Sequence, residues 1–213
     1  MARLNQEKRD KICTRLSELY QDVLIELDYE TDYQLLVAVV LSAQATDKGV
    51  NKATKVLFSE VKEAKDIIAL PFESLVSMIR SIGLYQTKAK NVMALSHMLV
   101  SEYAGQVPNT MEELIQLPGV GRKTANVVLN VLFGLPTIAV DTHVFRVSNR
   151  LGLSNGKTPD QVEADLVKKI DAKYKQDLHL WLIHHGRYVC KAQRPMCQTC
   201  HLIDLCGYKH KSI

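Results

Sequence analysis

The sequence predicts an all-α protein, and three observations carry that reading. Apolar residues recur at helical spacing along most of the 213-residue chain. The one extended stretch, TIAV at residues 137–140, is only four residues long. Capping residues and glycine or proline stop signals cut the pattern into segments joined by short loops. The length fits one large domain or two small ones.

The elements follow in order. Residues 34–45, QLLVAVVLSAQA, are apolar on nearly every side, which predicts a buried helix with Gln44 near its end. Residues 47–58 carry Val50, Ala53, Val56 and Leu57 at helical spacing. Residues 72–82 carry Leu75, Met78, Ile79 and Ile82, and stop at Gly83, a candidate C′ glycine. Thr87 is expected to cap a helix that runs to Tyr103 and closes at Gly105. Thr110 and Glu113 fit a capping box for a short helix ending near Gln116. Residues 122–133 form the next helix, with Gly134 and Pro136 as its stop. TIAV leads to Asp141 and a helix over 142–150. Thr158, Pro159 and Gln161 mark another start, and a last long helix is expected over 177–189.

Composition sets the outer bounds. Hydrophobic residues make up 46% of the chain, enough for a real core, and the formal net charge is +4. That charge permits nucleic acid or acidic ligands and equally suits an ordinary soluble surface. No run approaches the roughly 18 apolar residues of a membrane span. The first residues, MARLNQEKRDKICTRL, have charges but no apolar core, so no signal peptide is expected. A cytoplasmic protein is expected, in which structural disulfides are not.

Residues 117–130 read LPGVGRKTANVVLN. Helix, LPGVG, helix is a pattern with a mechanism. Glycines open backbone angles closed to other residues, and N–H groups at the start of the second helix face outward. With the helix dipole they form an anion site suited to a phosphate, although a plain helical corner would read the same way. Lys123 follows at once, where the dipole disfavours a cation. Taken alone it reads as a phosphate contact, and Asp141 reads as an N-cap.

Cys190, Cys197, Cys200 and Cys206 are spaced C-x6-C-x2-C-x5-C. Four thiols so close in a reducing compartment imply a metal centre. Four-cysteine zinc sites usually come as two CxxC pairs, whereas here there is one, with a single cysteine on each side. Zinc stays open at this point, beside a larger group wrapped by the loop. Cys13 stands apart as a small buried hydrophobe.

Three segments together, LSAQATD at 41–47, LPGVGRKTANVVLN and VDTHVFRVSNRLGL at 140–153, resemble the endonuclease III family of helix-hairpin-helix DNA glycosylases and abasic-site lyases. The resemblance covers nearly the whole chain and includes the cysteine spacing. It implies two helical domains flanking a DNA-binding groove: a six-helix, barrel-like domain of about 25–135 with the hairpin, and an iron–sulfur domain of 1–24 and 136–213. Lys123 becomes the nucleophile that attacks C1′ of a damaged nucleotide, and Asp141 the carboxylate that stabilises charge on the sugar. Gly119, Val120, Gly121 and Arg122 hold the DNA backbone. Gln44 and Leu84 fill the gap left by the flipped nucleotide, although each also has a plain structural reading at a helix end. The four cysteines hold a [4Fe-4S] cluster, a structural group because the chemistry needs no electron. Lys191 and Arg194 meet phosphate, or merely offset the cluster's charge. His143 and Arg146 have supporting roles, and His184 with His185 serves packing or hydrogen bonding. The implied partner is duplex DNA with damaged bases or abasic sites, bound by a monomer with no membrane attachment.

A nucleophilic amine must be uncharged. Deprotonating an ordinary lysine near neutrality costs about 4.6 kcal/mol, and a helix N-terminus supplies only about 0.3–1 kcal/mol. Burial is therefore expected to provide the rest. Ile115 and Gln116 stand just before the hairpin, where related enzymes can carry other residue types, including acidic ones. Rival readings are a monofunctional glycosylase, a class that usually lacks the lysine, an inactive DNA-binding module, and a zinc-bound helical module.

Overall fold

A computed structural model describes residues 5–212, and among them eleven α-helices and one 3-10 turn are the only regular structure. The chain divides into two compact units. One is Glu26–Phe133, and the other joins the residues up to Ile25 with those from Gly134 onward.

The unit of residues 26–133 is built round α2 (Asp32–Leu41), in which every residue from position 33 on is buried. A polar residue there must be satisfied internally. Gln34 donates to the carbonyls of Phe58 (3.2 Å) and Val61 (2.7 Å), and its amide oxygen accepts the Glu30 N–H (2.7 Å). Helices α3 (Asp47–Glu60), α6 (Tyr85–Glu102) and α8 (Arg122–Phe133) pack against α2. Helices α4 (Ala64–Ala69) and α5 (Phe72–Ile79) pack on α6, and the short α7 (Met111–Leu114) packs on α8.

Several boundaries differ from the sequence expectation. Helix α2 ends at Leu41, so Gln44 lies in the turn that follows it. The Ser42 hydroxyl closes the last turn by donating to the Val39 carbonyl (2.8 Å). Thr46 must be extended to cap α3, so the two helices cannot be continuous. Helix α5 ends at Ile79, and Gly83 is not left-handed; the left-handed residue is Leu84, and α6 starts at Tyr85, ahead of Thr87. Helix α4 was not anticipated. Its entry is closed by a carboxylate rather than a hydroxyl, with Asp66 accepting the Lys62 and Glu63 N–H groups (2.8 and 3.0 Å).

The other unit holds α1 (Gln6–Leu19), α9 (Thr142–Leu151), α10 (Pro159–Lys169) and α11 (Ala172–Tyr188). Helix α11 begins well before residue 177, capped by Asp171; its first turns are polar and bury little beyond Tyr174, so apolar spacing does not announce them. It packs on α1 and α9 round a core that includes Ile12, Leu16, Val144, Val147 and Leu182. Contact with α9 is close: a Cβ on Gly186 would stand 2.9 Å from the His143 Cβ. Fully buried Leu202 anchors the C-terminal loop on the same core. Cys13 is buried, and burial pushes its thiol pKa up to about 12, which leaves it inert.

Candidate active site and cysteine centre

The hairpin runs from α7 into α8 on buried Leu114, Leu117 and Val120. The Val120 N–H donates to the Leu117 carbonyl (3.0 Å), and the Ala125 N–H reaches the Gly121 carbonyl (2.9 Å) as α8 begins. Val120 thus turns inward with its N–H engaged, while Gly119, Gly121 and Arg122 are exposed.

The two glycines have different causes. Gly119 has φ +81°, and a Cβ there would stand 2.9 Å from the Asn91 Cβ. Gly121 has neither constraint, since its Cβ would meet nothing within 4 Å. Gly119→Ala should therefore cost about 2 kcal/mol or more, from left-handed strain of about 1–2 kcal/mol plus overpacking. Gly121→Ala should lose at most about 1 kcal/mol as a poorer N-cap. Urea melts check the stabilities. A duplex titration showing that Gly121→Ala still binds weakly would mark this glycine as a point of close backbone approach, and unchanged affinity would exclude that role.

Two helix starts differ from the rest. Most helices carry a side-chain cap or an acidic residue in the first turn, such as Asn5 on α1, Thr31 on α2, Thr158 on α10 and Asp171 on α11. Helix α6 has Leu84 at its N-cap, no side-chain cap bond and no acid. Helix α8 follows Gly121 and starts with Arg122 and Lys123, again without an acid. Cations at a positive dipole end, with no acid in the same turn, suit an anion from outside.

Lys123 is exposed, which corrects the expectation that the chain itself buries the amine. Asp141 is half-buried at the N-cap of α9, where Oδ1 accepts the Val144 N–H at 2.8 Å. Arg146 ties this helix to the end of α11: Nε donates to the Cys190 carbonyl (3.1 Å), and Nη2 contacts His143 Nδ1 (3.2 Å) and the Gly186 carbonyl (2.9 Å).

Non-glycine residues with positive φ are uncommon. Among the described residues they are Gln44 (55°), Leu84 (58°), Ala104 (51°) and Arg194 (48°). Ala104 belongs to the close of α6, where the Gly105 N–H returns to the Leu99 carbonyl (2.8 Å). The other three coincide with residues that the resemblance points toward DNA. Each stores roughly 1 kcal/mol of strain yet presents its side chain to solvent, Leu84 at 59% exposure. Lys191 is exposed as well.

All four cysteines line one pocket. Its other walls are mostly apolar, including Leu151, Val189, Met196 and Ile203. A single zinc ion, with Zn–S near 2.3 Å, would draw four sulfurs round one point. Among the described residues no three His, Cys, Asp or Glu side chains are gathered closely enough to hold a metal ion, and what the structure gives is four thiols on one pocket. Burial pushes the Cys200 and Cys206 thiol pKa values up, so a bound cationic centre is what would hold them ionised.

Two N–H donors and one imidazole nitrogen face these sulfurs. Arg150 Nη1 lies 3.4 Å from Cys190 Sγ, the Tyr208 N–H 3.5 Å from Cys206 Sγ, and His185 Nε2 3.7 Å from Cys200 Sγ. The Arg150 guanidinium also lies over the Tyr208 ring, 4.4 Å from its centroid. Sequence reading missed Arg150 and Tyr208 and left His185 with only a packing or hydrogen-bonding role. Their distance from the cysteines along the chain gives no local signal. No helix among the described residues is long and apolar enough to cross a membrane.

Residues 37–172 match the family described as the HhH-GPD superfamily base excision DNA repair protein. The endonuclease III of Rickettsia conorii is 56% identical over 183 residues, covering 86% of this chain and 87% of that protein. The endonuclease III of Escherichia coli strain K12 is 48% identical over 208 residues, 98% of this chain and 99% of that one. A solved structure described as a trapped endonuclease III–DNA covalent intermediate, an estranged-adenine complex, superimposes with a TM-score of 0.90 at 47% identity over 96% of both chains.

Proposed function

The chain belongs to the HhH-GPD superfamily of base excision DNA repair proteins, and from that premise we propose that it is a bifunctional DNA glycosylase and abasic-site lyase acting on oxidised pyrimidines in duplex DNA. The observation that carries the reading is Lys123 in the first turn of α8, behind a glycine hairpin and with no acidic residue in that turn. The similarity to a trapped covalent protein–DNA intermediate supports the same assignment.

The reaction follows from the amine. The target nucleotide leaves the stack, and Gln44 and Leu84, on exposed turns already held in left-handed geometry, fill the space behind it. Lys123 Nζ, uncharged, forms a bond to C1′ as the bond from C1′ to the base breaks, and the base departs with a proton. Asp141 carries negative charge toward the sugar as positive charge develops there. Loss of the ring oxygen's bond to C1′ gives an iminium, which acidifies the C2′ hydrogens. Removal of one breaks the C3′–O bond by β-elimination and cuts the strand on the 3′ side. Water then hydrolyses the imine and returns the lysine. Because Lys123 is exposed in the free chain, the desolvation that keeps it uncharged comes from DNA closing over it.

Cys190, Cys197, Cys200 and Cys206 would hold a [4Fe-4S] cluster, which supplies a structural clamp for the C-terminal loop and no step of the reaction. Lys191 and Arg194 on that loop meet phosphate, and the protein acts as a monomer. Borohydride reduction with a duplex bearing thymine glycol tests the whole assignment. A covalent protein–DNA adduct at the lesion strand is expected, and release of free base without any adduct would favour the monofunctional rival.

A further inference from the structure

We infer that Tyr20 and His185 form a hydrogen-bond relay onto the Cys200 sulfur, and that this relay sets the reduction potential and retention of the group held by the four cysteines. The inference rests on the cluster reading proposed above. All of its residues lie in one unit of the fold.

The geometry is a chain of two contacts. Tyr20, the C-cap of α1, places its hydroxyl 2.8 Å from His185 Nδ1. The other ring nitrogen, Nε2, lies 3.7 Å from Cys200 Sγ, a hydrogen-bonding distance for the larger sulfur atom. A ligated cysteine is a thiolate and can only accept. The nitrogen facing it therefore carries the hydrogen, which leaves Nδ1 of the neutral ring as an acceptor. The Tyr20 hydroxyl is then its donor, and burial pushes that phenol's pKa up to about 12, so its proton stays in place. Tyr20 thus selects the tautomer that points N–H at the sulfur.

Nothing about this arrangement is loose. His185 is 2% exposed, so water does not compete for the ring. The Tyr20 ring also packs on His184 (centroids 5.0 Å apart), which packs in turn on Tyr188 (4.6 Å). Cys190 and Cys206 have donors of other kinds, a guanidinium that also grips main-chain carbonyls and a backbone N–H. Cys200 has the Leu202 N–H beside it, and is the ligand that also faces a ring oriented by a second side chain. An N–H aimed at a ligating sulfur withdraws charge from it and favours the more negative, reduced state of the centre.

The test uses purified holoprotein and three variants: Tyr20→Phe, His185→Leu and His185→Gln. Voltammetry should show His185→Leu shifted to lower potential by about tenfold in the oxidised-to-reduced ratio, about 59 mV for a one-electron couple. Tyr20→Phe, which removes one oxygen and keeps the ring contacts, should shift the same way by less. His185→Gln, which retains an N–H donor, should lie closer to wild type. Iron release to a chelator should quicken in the same order. If His185→Leu fails to fold, Tyr20→Phe carries the test. Potentials and release rates indistinguishable from wild type in Tyr20→Phe, or in a folded His185→Leu, would overturn the relay. Iron and sulfide analysis separates the two readings. Wild-type protein without them sinks the cluster assignment and the relay together, whereas a loaded wild type with indifferent variants sinks the relay alone.

Discussion

Lys123→Ala is expected to keep its fold and its grip on duplex DNA while losing strand cleavage by about 10⁴-fold or more. The side chain is exposed, so its removal should change stability by no more than about 1 kcal/mol. The sign should even be favourable, because a cation at the N-terminus of α8 opposes the dipole by about 0.3–1 kcal/mol. Affinity should fall only as one lost phosphate contact allows, with the salt slope smaller by about one at most. Chemistry has no such reserve. Without the amine there is no covalent intermediate and no iminium to acidify C2′.

Lys123→Arg separates the nucleophile from the phosphate contact. A guanidinium keeps the charge and the reach but does not deprotonate in proteins. It should bind duplex like wild type, give no borohydride adduct and leave abasic DNA uncut. Single-turnover cleavage of an abasic duplex, read beside a binding titration, checks both variants. Cleavage surviving in either would return Lys123 to the role of a solvated surface cation.

These outcomes depend on parts of the molecule that differ in how plainly the sequence announces them. Helix α8 was legible to the residue because glycine stands at both of its ends and buried apolar residues recur along it. The starts of α9 and α10 were legible from Asp141 and Thr158, whose side chains cap as their types suggest. The start of α6 was not. Leu84 at its N-cap has no capping group, and leucine gives no local hint of left-handed backbone. The same holds for Gln44, which an apolar run appeared to draw into the preceding helix.

The site shows the same division. The residue types of the hairpin and the cysteine loop follow from short motifs, where spacing and chemistry sit side by side. The exposure of Lys123 depends on what the rest of the chain places around it, and an N-terminal amine position says nothing of that. His185 lies on α11 and Tyr20 at the end of α1, and only the packing of those helices brings both to Cys200. A pair of adjacent histidines carries no ligand spacing, so its use as a donor to sulfur has no signature in the chain.

Asp141→Asn should be nearly silent in stability and severe in base excision. The carboxylate has two tasks at one position. It caps α9 through the 2.8 Å bond from the Val144 N–H to Oδ1, and under the proposed mechanism it faces the sugar with negative charge. Asparagine caps helices about as well as aspartate, so the urea midpoint should move by no more than about 0.5 kcal/mol equivalent. Charge is lost without loss of shape. Removing electrostatic stabilisation of this kind typically costs about 10²–10³ in rate, and base release from a thymine glycol duplex should fall by that much. Cleavage of a duplex that already contains an abasic site should fall less, because no base has to be expelled from it. Asp141→Ala would add about 1 kcal/mol of destabilisation for the missing cap, which makes it the poorer probe. The comparison between the two substrates therefore decides between the tasks. An Asp141→Asn protein that excises bases at the wild-type rate leaves only the cap, and one that loses excision while melting normally places the charge in the reaction.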